Sequence, residues 1–276
     1  MSSPSTPDTG LFGPDSVTWR VHADPILFVG GIRALLLQAL HPVAMAGVAA
    51  QSGFRDDPWG RLQRTAEYVG VLTYGTCDEA RRAAARVRGV HRRLRAVDPD
   101  SGQTVRVDDP DLLIWVHACE VDSLLSTARR AGVPLSPADA DRYVGEQARA
   151  ARLVGIPASL IPESTAGLAG YFDSIRPRLR ATDDARAAAR FVLLPPMPAW
   201  VKLVTPARPA WIGAASLGFA LLPRWARRMY GLPGLPSTDL SATLAARAVR
   251  SVLRPLPAAV REGPALRAAR ARLAAG

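Results

Sequence analysis

Apolar residues recur every three or four positions along most of this chain, and no run of strict apolar–polar alternation is long enough to require a sheet. The pattern predicts an all-α fold. The stretch "DPILFVGGIRALLLQALHPVAMAGVAAQSG" (24–53) is apolar nearly all round, which predicts burial, with Asp24 as N-cap, Pro25 at the first helical position and a kink where Pro42 follows His41. In "DDPWGRLQRTAEYVGVLTYG", Asp57 caps, Pro58 starts and Gly75 ends the next helix. Thr76 and Glu79 have the spacing of a capping box for a helix that runs to the turn-forming "DPDSGQ". Asp109 and Pro110 open another helix that Gly132 closes, and Ser136 and Pro137 open the one after it.

Beyond residue 155 prolines become frequent. The sequence there reads as a loop ("GIPASLIPESTAG"), a short helix ("LAGYFDSIRPRL") and a helix ending at a proline pair ("TDDARAAARFVLLPPMPAW"). Residues 200–222 are apolar but interrupted at Pro206 and Pro209, which favours a core-packing helix over an interfacial membrane segment. From Leu240 an Arg/Ala-rich helix pair is split at "RPLP". With no repeat and no long linker, the expected organisation is a polar, disordered lead-in (1–16), a helical domain (17–235) and a helical extension (236–276) packed on it.

Composition narrows the function classes. The charge is 35 − 24 = +11. However, one basic residue alone is a lysine (Lys202), and the arginines are scattered without the aromatic interleaving of a nucleic-acid groove, so nucleic acid is not the expected partner. Cys77 and Cys119 are too few for a disulfide framework or a thiolate zinc cage, and the N-terminus lacks the apolar core of a signal peptide. A cytoplasmic location is the expectation, with membrane contact not favoured.

Two histidines fall on apolar helix stripes. His91 shares one with Ala80, Ala84, Val87 and Leu94 while arginines occupy the rest of the circumference, and His117 shares one with Leu113, Val121, Leu124 and Ala128. An inward imidazole needs a hydrogen bond, a metal or a cofactor, since leaving it unpaired costs on the order of 1–3 kcal/mol. A bond to a backbone carbonyl satisfies it as well as a cofactor does. His41 stands at the kink, where it can bond a freed carbonyl, and His22 has no assigned role. Arg61, Arg64, Thr65 and Tyr68 lie on one helix face, which reads either as a solvated ion-pairing surface or as a pocket wall that binds carboxylates.

No two histidines are three or four apart, and His117 to Glu120 is the reverse of a di-iron Glu-x-x-His unit. Hydrolase, phosphate-loop and dinucleotide motifs are absent. Haem asks for one axial side chain in an apolar helical pocket with cations for its propionates, which this set can supply.

The succession "WRVHADPILFVGGIRALLLQALHPVAMAGVAAQSGF", "DPWGRLQRTAEYVGVLTYG", "AAARVRGVHRRL" and "DDPDLLIWVHACEVDSLL" resembles, over about residues 19–225, the catalytic domain shared by the rubber oxygenases (latex clearing proteins) and the prenyl-chain-cleaving oxygenase MpaB. The resemblance implies an all-helical fold binding haem b, with His91 as the iron ligand. By the same resemblance Arg61, Arg64 and Thr65 form the Arg-x-x-[Lys/Arg]-Thr element beside the haem, Arg64 standing where rubber oxygenases have a lysine. His117 ("WVH") and His41 ("HP") take supporting places. Arg61 is then expected to meet a propionate or shape the distal side, Arg64 and Thr65 to stabilise bound oxygen, and Tyr68 to line the pocket. The glutamate that serves as catalytic base in rubber oxygenases has no counterpart between residues 24 and 66, and the chain is shorter than those enzymes. The resulting expectation is a haem-dependent oxidation, by dioxygen or peroxide, of a hydrophobic molecule smaller than rubber. A haem carrier or sensor and a haem-free interaction protein of the same fold are the alternatives.

Overall fold

Side-chain oxygens begin most of the long helices, and their placement divides the chain. Asp57, Thr76, Asp109, Ser136, Ser164 and Thr182 each accept a backbone N–H in the first turn, with Glu79 and Asp139 completing capping boxes after Thr76 and Ser136. The computed structural model describes residues 8–50, 57–196, 205 and 207–274. The early helices are α1 (Val17–His22), α2 (Leu27–Gln38), α3 (Pro42–Ala49), α4 (Pro58–Tyr74) and α5 (Cys77–Arg93). After a short antiparallel hairpin, β1 (Arg95–Val97) with β2 (Thr104–Arg106), come α6 (Pro110–Arg130), α7 (Pro137–Leu153), α8 (Thr165–Ile175) and α9 (Asp183–Leu193). The last helices are α10 (Ala207–Ala220), α11 (Arg224–Met229), α12 (Pro236–Leu253), α13 (Ala258–Arg261) and α14 (Pro264–Ala274). The fold is all-α.

α2 is the axis of the molecule, lying between α6 and α10. Glycines set both approaches: a Cβ on Gly30 would lie 3.1 Å from Leu124 Cδ2, and one on Gly218 would lie 2.9 Å from Ile32 Cγ2. Arg33, which interrupts the apolar run of α2, fixes the same contacts. Its guanidinium is almost fully buried, paired with Asp122 at 2.7 Å and donating to Ser123 Oγ at 2.6 Å and to the Leu221 carbonyl at 3.0 Å. Arg130 also donates to Leu221 O, and Arg227 donates to Ala220 O and Leu222 O, so three cations meet the negative C-terminal end of α10.

Gly132, at φ +80°, closes α6 by donating to Arg129 O while Val133 N–H reaches back to Ala128 O, which is the Schellman arrangement expected of a glycine there. α2 and α3 meet at a 104° bend at the His41–Pro42 step. Among the described residues no single helix is long and apolar enough to cross a membrane.

Several expectations are corrected. α2 begins at Leu27 rather than at Pro25, because Asp24 is engaged in a turn, accepting from Ile26 N–H, and in an ion pair with Arg250 at 2.7 Å. In the described part of the lead-in, 8–16, Asp8 accepts from Cys77 N–H, Leu11 O accepts from Arg149, and Ser16 caps α1. The rest of it, 1–7, lies outside the described residues. Pro209 does not break α10, since it sits in the first turn where its missing N–H is no loss; Pro206 and 197–204 lie outside the described residues. From Pro236 on there are three helices, not two, because after the expected split at "RPLP" the chain breaks again at Glu262, which is extended, and Gly263, ahead of Pro264. The β hairpin escaped the periodicity because three residues are too few to alternate visibly.

Gly218→Ala is expected to destabilise the protein by about 1–3 kcal/mol through overpacking of α10 on α2. Urea unfolding checks this: the midpoint falls if the close approach is real and is unchanged if the helices have slack.

Candidate functional site

The bend at Pro42 turns α3 away from α6 and leaves space between α3, α4, α5 and α6. That space is a cavity of about 300 Å³. α5 and α6 both line it, and each packs on α7. From α5 come Val87, Val90 and His91; from α6 come Val116, His117 and Glu120; from α4 come Arg61, Tyr68 and Thr73. A second chamber of about 160 Å³ adjoins it and shares Gln38, Ala44, Val48, Arg61 and Val116 with it. Leu35, Met45, Phe191, Val192 and Trp211 make most of the outer wall, and Arg61 alone among its lining residues is charged.

Polar groups in the inner cavity lack partners. His91 makes no side-chain hydrogen bond, and its Nδ1 is buried. Burial lowers its pKa, with Asp108 opposing the shift, so the ring is neutral and has a lone pair to offer. The backbone-carbonyl bond that is the ordinary fate of an inward histidine is not made. His117 also has no hydrogen bond, and burial pulls its pKa down to about 4. Glu120, one turn further along α6, has neither an ion pair nor a hydrogen bond, and burial pushes its pKa up to about 7. The Tyr68 hydroxyl is buried without a partner, and burial raises its pKa. Arg61 has no ion pair, and burial, then the charge of Arg64, lowers its pKa.

Other expected site residues lie elsewhere. Arg64 is 62% exposed and pairs with Asp57 at 3.0 Å, the solvated reading of that face. The exposed Thr65 donates to the carbonyl of Arg61 in its own helix. Neither lines either of these two chambers: α4 turns 61 and 68 toward them and 64 and 65 outward. His41 caps α3 by accepting from Ala44 N–H at 3.4 Å rather than bonding a freed carbonyl; its ring lies 5.9 Å from Trp115 and its Nε2 has no partner. Burial, followed by Arg178, brings its pKa down to about 4.

Two residues of the cavity wall had no role from sequence. His22 is held between Thr73 Oγ1 at 2.8 Å and Tyr143 OH at 3.0 Å, which fixes that side of the wall. Glu120 was visible only as a misordered metal motif; its place three residues after His117 on one helix face was the available signal.

Among the described residues no group of three or more His, Cys, Asp or Glu side chains gathers to hold a metal ion. A single imidazole beside a cavity matches the one-ligand demand of haem, and the unpaired Arg61 matches its carboxylates. The residues therefore fit that group.

Residues 19–254 match the family model described as the catalytic domain of the ER-bound oxygenase mpaB/B′ and of rubber oxygenase. The solved structure of latex clearing protein LCP in the closed state superposes with a TM-score of 0.62 at 17% identity, covering 99% of this chain and 76% of that one. At that identity the likeness establishes the fold. No curated protein matches the chain.

The Glu120 carboxyl makes its own contribution to the pH dependence of stability. Its folded pKa is raised, so between the ordinary carboxylate value and about 7 the folded chain keeps a proton that the unfolded chain has lost; this group's contribution to stability falls as pH rises through that window, against the opposite contribution of His22, His41 and His117, whose lowered values favour the fold as pH rises. Glu120→Gln is expected to match the parent near pH 4 and to exceed it by roughly 2–3 kcal/mol at pH 8. Parallel urea midpoints across that range would contradict the burial of this carboxyl.

Proposed function

This chain belongs to the oxygenase family that unites the mpaB and rubber-oxygenase catalytic domains, and from that membership we propose that it is a haem b-dependent oxygenase acting on a small hydrophobic molecule. The observation that carries the reading is the neutral, unpartnered imidazole of His91 on the wall of a helical cavity. An imidazole in that state pays a desolvation cost with no return from the protein, and an iron porphyrin supplies the missing bond.

His91 would hold the iron, and Arg61 would hold a propionate through a charge-assisted hydrogen bond. When bound, haem supplies the activation of dioxygen or peroxide that this chain's own side chains cannot perform. The protein's part is positioning and exclusion. Apolar side chains of the outer chamber keep water away and offer an apolar molecule a place against the inner cavity. His117, Glu120 and Tyr68 are the polar groups beside that junction. A carrier or sensor of haem has no need of a second apolar chamber, which favours an enzyme.

His91→Ala is expected to abolish stoichiometric haem retention while leaving the helical circular dichroism intact. His117→Ala and His41→Ala should retain haem. The proposal fails if His91→Ala protein, purified from haem-supplied cells, carries as much haem as the parent.

A further inference from the structure

Glu120 is a half-buried acid on the cavity wall that makes no ion pair and no hydrogen bond with the rest of the chain. Among the described residues, the charged groups buried more deeply than Glu120 have partners. Arg33 has Asp122, Arg227 has Asp239, and Glu146 accepts from Val17 N–H, Thr18 N–H and Arg142. The charged or titratable groups around Glu120 do not pair with it. His117 is on its own helix; Tyr68 of α4 and Tyr143 of α7 feel its charge, but Tyr143 hydrogen-bonds His22 and the Tyr68 hydroxyl is unbonded. Gln147 of α7 donates its amide to Thr18. Arg61 and His91 line the same cavity and make no contact with the carboxyl. A carboxyl left like this inside a cavity awaits a donor from whatever enters it.

The geometry says where that donor arrives. Val116 lines both chambers, and Glu120, one helical turn or about 6 Å further along the same helix, lines the larger one only. A molecule with its apolar body in the outer chamber therefore presents its leading end to Glu120. Resting on the reading of this cavity as an oxygenase site, we propose that the substrate is an apolar alcohol, its chain held by the outer chamber and its hydroxyl donated to the Glu120 carboxyl, rather than a bare hydrocarbon. Glu120 is then a specificity-determining residue. A site built to bond a hydroxyl rejects the analogue without it far more strongly than an apolar pocket separates two chain lengths, because rejection leaves the buried acid unpaired. An ammonium head is the less suitable partner, since the guanidinium of Arg61 already lines the same cavity and a second cation there would be repelled by it.

The test uses the full chain as purified, titrated at pH 8 with decanol, with decyl methyl ether, which keeps the oxygen but has no donor, and with decylamine. Trp59 and Trp211 line the outer chamber, so their fluorescence reports its occupancy without reference to turnover. Decanol is expected to bind at least tenfold more tightly than the ether. Glu120→Leu should erase that preference with haem content unchanged, and Glu120→Gln, which keeps an acceptor, should restore part of it. Equal binding of alcohol and ether by the parent, survival of the preference in Glu120→Leu, or tighter binding of decylamine than of decanol would each overturn the assignment. Failure of the haem reading shows separately, as haem retention by His91→Ala, and leaves the alcohol preference standing.

Discussion

Unpaired polarity on the wall of a half-buried cavity is the constraint on which this molecule turns. Deep in a helical protein an imidazole, a guanidinium and a carboxyl each cost on the order of a kcal/mol or more unless something bonds them, and such groups nearly always find a partner in the chain itself. Here His91, Arg61 and Glu120 line one cavity and none of them does. The elements around them hold the cavity open. Pro42 bends α3 away from α2, His22 is locked between Thr73 and Tyr143, and α5 and α6 are each supported by α7. The stability given up at these groups is what makes them available to a bound molecule.

The two chambers divide the labour that an oxygenase requires. The inner one presents nitrogen and oxygen atoms with lone pairs or protons to offer, and the outer one presents hydrocarbon. Arg61 and Val116 belong to both, so a substrate seated in one is in contact with the groups of the other. The fold supplies this arrangement with few residues: one bend, one cap and three helix faces.

Much of this was legible in the chain. Capping residues located α4, α5, α6 and α7 because Asp, Thr and Ser before Pro or three residues before an acid satisfy the same orphan N–H groups in any context. The stripe from Ala80 to Leu94 located His91 because helical periodicity is local. Periodicity alone did not place Arg64 and Thr65 on the exposed turn of their helix. On a helix whose polar face is continuous, nothing local tells which of two adjacent turns meets a cavity and which meets Asp57 and water. Glu120 was hidden for the converse reason: an acid on an apolar stripe reads as an exposed edge until the helices that enclose it are placed. The resemblance to rubber oxygenases likewise pointed to the neighbourhood of "HPVAMAG" for an acid, whereas the cavity draws its carboxyl from the next long helix wall, α6.

The central claim is that the cavity beside His91 is a haem site. It is tested most directly by measuring protoporphyrin iron per chain, as the pyridine haemochrome, in full-length protein purified from cells supplied with haem. The account predicts haem b at one equivalent per chain. Colourless protein whose spectrum does not change on addition of hemin would contradict it.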